Sequence, residues 1–254
     1  MKTSVFIPAR FASTRFPGKL LEPLGDTCVL GQTVRRAIEA VGTGRVVVAA
    51  DDPRLAEAAS AEGVHVVMTD PSIPSGTERC LSALMLMPER VRPDAIVNLQ
   101  ADNPLISPLL IRDMADGITE DDEILTAAFR FDPSAGFEAL FDPGEVKVVI
   151  SGSRHALYFS RSIIPYVRDV EWREWTASAR FHIHCGIYAY TSAMLHRICN
   201  LPVSPLEAAE RLEQLRWLDN DIAIRVISAS GATVGIDVPA DLERARCLLA
   251  SMQP

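Results

Sequence analysis

Short, almost wholly apolar segments recur through the first half of the chain, each followed by a run with helical spacing, and this alternation constrains the fold more than any other feature. "SVFIP" precedes an amphipathic run from about Val29 to Val41, "RVVVAA" precedes "PRLAEAASAEG", "VHVVM" precedes "GTERCLSALMLM", and "AIVNLQ" follows. Strands that are apolar on both faces fit a sheet covered by helices on both sides, and helical crossovers are how parallel strands are joined. The pattern predicts an α/β fold, a doubly wound and mostly parallel sheet. Ligands of such sheets bind beyond the carboxyl ends of the strands, which points to the loops after Pro8, Ala50, Met68 and Gln100.

From about Asp132 the rhythm changes. "EVKVVIS" and "ALYFSRSIIPY" read as strands joined by a turn at "SGSR", and "FHIHCGIYAYT" reads as a further strand. Between them, "VRDVEWREWTASAR" is charged and rich in tryptophan, and reads as a mobile or interface segment. "SPLEAAERLEQLRWL" reads as one helix, opened by the capping-box spacing of Ser204 and Glu207 with Pro205 at its first position. "IAIRVIS" returns to a strand, and "GIDVPADLERARCLLAS" is a turn leading into a terminal helix. The expected organisation is one domain over 1–254 with a β-rich insertion at about 132–200.

A length of 254 residues with 48% hydrophobic side chains is enough for a full core, and a formal net charge of -8 argues against a nucleic-acid or membrane-surface binder, which needs a broad basic face. There is no apolar run of about 18 residues, and "MKT" leads directly into a strand, so a cytoplasmic location is expected. The five cysteines are scattered without a C-x-x-C pair, and read as small buried hydrophobes rather than a disulfide or zinc framework.

Any anionic ligand of an acidic chain must be held by local cations, and "IPARFASTRFPGKL" after the first strand supplies Arg10, Arg15 and Lys19. This loop has no G-x-G-x-x-G. It also departs from the phosphate loop of nucleotide triphosphatases, because Ser13 stands where the first glycine belongs and Leu20 where Ser or Thr would follow the lysine. By itself it is either a solvated basic loop or a wrap for a polyphosphate, with arginines binding in a fork and the lysine as a point charge.

Further blocks follow in order: "PSGTER", "VNLQADNP", "VKVV", "ALYFSRSIIP", "HCGIYAY", "SPLEAAERLEQLR" and "GIDVPADLERAR". With the basic loop, these resemble the CMP-Kdo synthetase family, the 3-deoxy-manno-octulosonate cytidylyltransferases, over nearly the whole chain. The resemblance implies the nucleotide-diphospho-sugar transferase type of sheet, with the insertion serving dimerisation and acceptor binding. It also implies Mg-dependent transfer of CMP from CTP to an acidic acceptor with release of pyrophosphate, in a cytoplasmic homodimer serving lipopolysaccharide biosynthesis. The implied partners are CTP and the acceptor, with neither nucleic acid nor membrane.

The same resemblance assigns residues. CTP would be bound by Pro8, Ala9, Arg10, Ser13, Arg15, Lys19, Ser75, Arg79 and Gln100, with Lys19, Arg10, Asp102 and Asp237 catalytic. Asp102 and Asp237 match the metal-binding carboxylates, as Mg2+ requires oxygen ligands. Gln100, Arg161, His184, Tyr188, Glu213 and Gln214 would surround the acceptor, with the arginine suited to an acidic group. Simpler readings stand beside these. Ser75 with Glu78 has capping-box spacing, Asp237 reads alone as a turn or helix-start residue, and His182 with His184 forms an H-x-H pair of the kind that is usually structural. "DND" at Asp219 to Asp221 reads as a turn rather than a metal motif.

Four positions depart from the family pattern. The chain reads Gln100-Ala101-Asp102-Asn103-Pro104 where "QGDEP" is typical, lacks the histidine before "SGTER", and has Gly144 where an asparagine commonly stands. Kdo or a close sugar acid is the expected acceptor, with a phosphonoformate-like phosphonate as the alternative. A nucleotide-binding protein without turnover is the rival of a different class.

Overall fold

The computed structural model describes residues 1–13, 15–231 and 235–252, so Thr14 of the basic loop lies outside the described residues. The chain divides into two compact units: residues 1–119, 187–199 and 233–254 form the first, and 120–186 with 200–232 form the second.

In the first unit the expected alternation is present. Strand β1 (Thr3–Ala9) leads through a small hairpin of β2 (Pro23–Leu24) and β3 (Thr27–Cys28) into helix α1 (Val29–Val41). Then follow β4 (Val46–Ala50), α2 (Pro53–Ala61), β5 (His65–Met68), α3 (Gly76–Leu86), β6 (Ala95–Asn98) and α4 (Pro108–Gly117). Strands β6, β1, β4 and β5 lie side by side in that order, all parallel. Val5, Phe6 and Ile7 of β1 and Val48, Ala49 and Ala50 of β4 are fully buried, as a sheet covered on both faces requires. The helix starts follow from side-chain caps. Asp52 accepts from the Arg54 N–H with Pro53 at the first helical position of α2, and Ser75 accepts from the Glu78 N–H at the start of α3.

The second unit opens with β7 (Ile124–Arg130), followed by β8 (Lys147–Ile150) and β9 (Ala156–Ser160), an antiparallel hairpin around the "SGSR" turn. The short helix α5 (Trp175–Ser178) precedes β10 (His182–Thr191), a continuous strand. Its first half pairs with β8 in the second unit, and Tyr188–Thr191 run antiparallel to β6 in the first. Helix α6 (Ser192–Cys199) belongs to the first unit. The chain then forms α7 (Pro205–Glu210), α8 (Gln214–Asp219) and β11 (Ile224–Ser228), which pairs in parallel with β7. Helix α9 (Pro239–Met252) closes the first unit.

Three expectations are corrected. "SPLEAAERLEQLRWL" is two helices, because Arg211 takes the left-handed conformation at φ 52. A continuous helix would place Glu207 and Arg216, nine positions apart, on opposite faces; the break lets them form a two-pronged ion pair with both contacts at 2.6 Å. Of the two readings of the tryptophan-rich segment, the mobile one is corrected, because the segment is packed. Trp175 is buried and stacks on Phe181, its indole N–H donates to the Val170 carbonyl at 3.0 Å, and Trp172 lies against Phe137. These rings close an aromatic core with Phe131, Leu140 and Ile183. Of the cysteines, Cys80 and Cys185 are buried as expected. Cys247 is exposed, and Cys28 caps α1 by accepting from the Gly31 N–H.

No helix among the described residues is long and apolar enough to cross a membrane.

Candidate active site

The loops at the carboxyl ends of the first unit's parallel strands are joined by polar contacts. The basic loop leaves β1 at Ala9 and ends at Gly18, whose φ of 73 suits glycine and where a Cβ would lie 3.7 Å from the Phe11 ring. Lys19 then begins a short 3₁₀ turn that carries Leu20 into the core, so its ammonium is anchored while Arg10 and Arg15 stay exposed. Ser13 holds the loop's curve by accepting from the Phe16 N–H at 3.4 Å. Pro8 and Ala9, in β1, pair with Ala49 and Ala50.

Lys19 Nζ lies 2.6 Å from Asp102 Oδ2, 2.6 Å from the Ile236 carbonyl and 3.2 Å from Asp237 Oδ1. Arg15 adds a contact to the same Asp237 oxygen at 3.1 Å. The backbone brings the two carboxylates together as well, because the Ile236 N–H donates to the Asp102 carbonyl at 2.9 Å. Thr33 of α1, fully buried, donates to the Ala101 carbonyl at 2.9 Å and so pins the loop that carries Asp102. Asp237 does not serve the turn before α9. That task falls to Asp241, whose Oδ2 accepts the N–H groups of both Asp237 and Val238 at 3.0 Å, leaving the Asp237 carboxylate to face Lys19.

Two carboxylates within reach of one ammonium form a site that a divalent cation fits. Among the described residues no group of three or more His, Cys, Asp or Glu converges. A pair of carboxylates completed by phosphate oxygens and water suits Mg2+, whose preference is for few protein ligands. Next to Asp102, Asn103 is buried with its Oδ1 unpartnered among the described residues. A carboxylate there would place a further negative charge in a dry position beside the pair, which an amide avoids.

Ser75 both caps α3 and keeps its hydroxyl proton available, since it acts in the cap as an acceptor. Arg79, expected to contact the nucleotide, is instead turned into the protein. It is 1% exposed, and it donates to Thr69 Oγ1 at 2.7 Å, to the carbonyls of Asp70 and Ile73, and pairs with Asp51 at 3.3 Å. Gln100 is exposed just past β6.

Of the residues expected around the acceptor, Gln100 and Tyr188 belong to the first unit, and Arg161, His184, Glu213 and Gln214 to the second. Tyr188 is buried opposite Asn98 in the β10–β6 pairing. Arg161 follows β9, and its guanidinium is oriented by two carbonyls: Nε donates to Glu210 and Nη1 to Pro143, each at 2.8 Å. The Glu210 carboxylate accepts from the Ser160 hydroxyl and the Arg161 N–H, which fixes the end of the strand. Lys147, fully buried, organises the adjoining loop by donating to the carbonyls of Asp142 and Glu145. His184 Nε2 lies 2.8 Å from Thr126 Oγ1 and its ring meets Phe159 edge-on; burial pulls its pKa down to about 3, so it is neutral. Glu213 precedes α8, whose first residue, Gln214, is buried.

Asp51, the partner of Arg79, is the first member of the doublet Asp51-Asp52 ahead of Pro53, where the second aspartate alone caps the helix.

A cytidylyltransferase family profile matches residues 4–224. The chain is 42% identical to the 3-deoxy-manno-octulosonate cytidylyltransferase of Parabacteroides distasonis, covering 99% of each chain. It is 38% identical to the Escherichia coli protein of the same name, over 98% of this chain and 96% of that one. Among solved structures, a CMP:2-keto-3-deoxy-manno-octonic acid synthetase complexed with CTP aligns over 100% of both chains, with a TM-score of 0.88 and 36% identity. A glucose-1-phosphate thymidylyltransferase-like structure from Bacillus anthracis, at 16% identity and a TM-score of 0.67, shares the fold.

Proposed function

The chain belongs to the cytidylyltransferase family, and from that premise we propose that it transfers CMP from CTP to 3-deoxy-manno-octulosonate, releasing pyrophosphate. The observation that carries the reading is the convergence of Lys19 with Asp102 and Asp237 beside the basic loop, in a chain whose relatives at about 40% identity bear that activity as their name. No feature of the relatives favours the phosphonate acceptor.

An acceptor oxygen attacks the α-phosphate of CTP in line, and negative charge grows on the phosphoryl oxygens and the departing pyrophosphate. Catalysis of such a step is positioning and charge neutralisation. Arg10 and Arg15, exposed on the loop, bind the triphosphate oxygens, while Lys19 holds a fixed positive charge at the carboxylate pair. Asp102 and Asp237 would hold Mg2+, which would supply further neutralisation at the phosphates. Arg161 presents Nη2, which has no partner among the described residues, to the acceptor's acid group. Assembly as a homodimer is part of the same reading.

The test is pyrophosphate release from CTP and Mg2+ with Kdo, set against phosphonoformate. Release with Kdo that disappears in Asp102→Asn, in a protein whose melting temperature is retained, is the expected result. Absence of release with Kdo from the wild type overturns the assignment.

A further inference from the structure

Arg10 is held from both sides by one residue. The Asp51 N–H donates to the Ala9 carbonyl at 3.3 Å, and Asp51 Oδ1 accepts from the Phe11 N–H at 2.8 Å, so the two backbone groups flanking Arg10 are fastened to the same aspartate. The rest of the basic loop lacks the run of glycines that lets a backbone cradle phosphate, and it cannot fix its cations that way. Asp51 is itself held. Its side chain is 4% exposed, and Oδ2 faces Arg79 Nη2 at 3.3 Å. Arg79 in turn donates to Thr69 Oγ1, and Thr69 donates through both its N–H and its hydroxyl to the Ala50 carbonyl, immediately before Asp51. From the other side Arg54 lies 3.7 Å over the Phe11 ring while gripping Asp52 with two contacts.

A buried guanidinium surrounded by protein acceptors is not presented to a ligand. Burial pulls the Arg79 pKa down, the Asp51 charge opposes that, and the nearby charge of Arg10 adds to it. Triphosphate binding by Arg10 requires that its Cα already stand in the right place, since ordering a free loop on binding costs affinity.

We propose that Asp51 is a positioning residue for the nucleotide, presetting Arg10 and the basic loop through the Phe11 N–H and the Ala9 carbonyl, and that Arg79 serves CTP through Asp51 rather than by touching it. This rests on the CTP reading above. It assigns the "SGTER" arginine to the underside of the nucleotide site.

Asp51→Ala removes both charge and acceptor, whereas Asp51→Asn keeps an acceptor oxygen and loses the charge. The KM for CTP is expected to rise at least about tenfold in Asp51→Ala, with the acceptor KM within about twofold of wild type. In Asp51→Asn the CTP KM should return to within about threefold while the melting temperature stays low, because Arg79 has lost its counter-charge. A purely structural ion pair would lower the melting temperature in both and leave the CTP KM alone. A CTP KM in Asp51→Ala within about twofold of wild type, or equal defects in the two variants, overturns the proposal. Should the Asp51 variants not fold, Phe11→Pro and Phe11→Ala decide it: both lose the ring, only proline loses the N–H, and CTP should bind at least about fivefold more weakly to the proline variant. Equal affinities overturn the proposal. CTP affinity measured by calorimetry on the same variants keeps this separate from the activity itself, whose failure would appear as a wild type that binds CTP but releases no pyrophosphate.

Discussion

Lys19 and Asp102 meet at 2.6 Å across 83 positions of sequence, and the same ammonium reaches Asp237 at 3.2 Å. One lysine therefore neutralises two carboxylates that would otherwise repel, and it is only 11% exposed. This is more than a loop cation meeting phosphate. Lys19→Met should lower single-turnover CMP transfer by roughly 100-fold, about 2.7 kcal/mol, the scale of losing one preorganised charge-stabilising group. It should also destabilise the ligand-free protein, by leaving the carboxylates unpaired. Added Mg2+ should then raise the variant's melting temperature more than the wild type's, since Lys19 no longer competes for the pair. Equal Mg2+ shifts in the two proteins would show that cation and lysine do not share those carboxylates.

Glu207 and Arg216 give a test of the broken helix. Both side chains are largely buried and their ion pair exists only because the chain turns left-handed at Arg211. Removing one partner strands the other, so Glu207→Gln or Arg216→Met should cost about 3–5 kcal/mol in urea unfolding. Arg211→Gly, which relieves the positive φ without touching the pair, should instead be neutral or stabilising by up to about 1 kcal/mol. A stabilising Arg211→Ala would mean that the helix prefers to run through.

These residues also show where the sequence could be read and where it could not. Alternating apolar strands and helical runs are local patterns, so β1, β4, β5 and β6 with α1 to α3 were legible, as were the caps at Ser75 and Ser204, each read from a spacing of three, whereas the two-residue strands β2 and β3 and the helix α4 were not read. The convergence of Lys19, Asp102 and Asp237 was legible only through resemblance, because nothing local links positions so far apart. The Arg211 break was hidden because the Glu207–Arg216 pair that goes with it joins positions nine apart, a spacing that helical periodicity does not mark. The tryptophan-rich segment misled because charges such as Arg168 and Asp169 are visible in sequence, while the convergence of Trp172 and Trp175 on Phe137 is not. Arg79 was marked by the resemblance as a nucleotide contact, and its inward orientation, which depends on Asp51, Thr69 and the carbonyls of Asp70 and Ile73, was not visible in the sequence.

His184 makes stability depend on pH. Burial lowers its folded-state pKa to about 3, against an ordinary value of 6.5, so between these values the unfolded chain binds a proton that the folded chain does not. Its contribution is complete above about pH 6.5 and declines as the pH falls, by at most about 1.4 kcal/mol per unit. Carboxylates contribute to acid lability too, so the comparison is with His184→Gln, which can keep a hydrogen bond to Thr126 without acquiring a charge. Urea midpoints at pH 7.5 and 5 should fall less for the glutamine variant. Parallel losses in the two proteins would place the proton uptake elsewhere.

Arg161 is the sharpest probe of the acceptor side. Its Nε and Nη1 are committed to the carbonyls of Glu210 and Pro143, and these two contacts set the plane of the guanidinium and the direction of Nη2. Lysine can supply a charge but neither the plane nor both carbonyl contacts at once, so an acid group that relied on that direction would lose its partner. Arg161→Lys should reduce kcat/KM for the acceptor by at least about tenfold, roughly 1.4 kcal/mol, with the KM for CTP within about twofold of wild type. Glu210→Gln supplies the control: it weakens the clamp on the Ser160 hydroxyl and the Arg161 N–H while leaving the arginine in place, so its acceptor defect should be in the same direction and smaller. If Arg161→Lys instead weakens CTP and spares the acceptor, then the arginine serves the nucleotide, and the acid group of the acceptor is held by another residue.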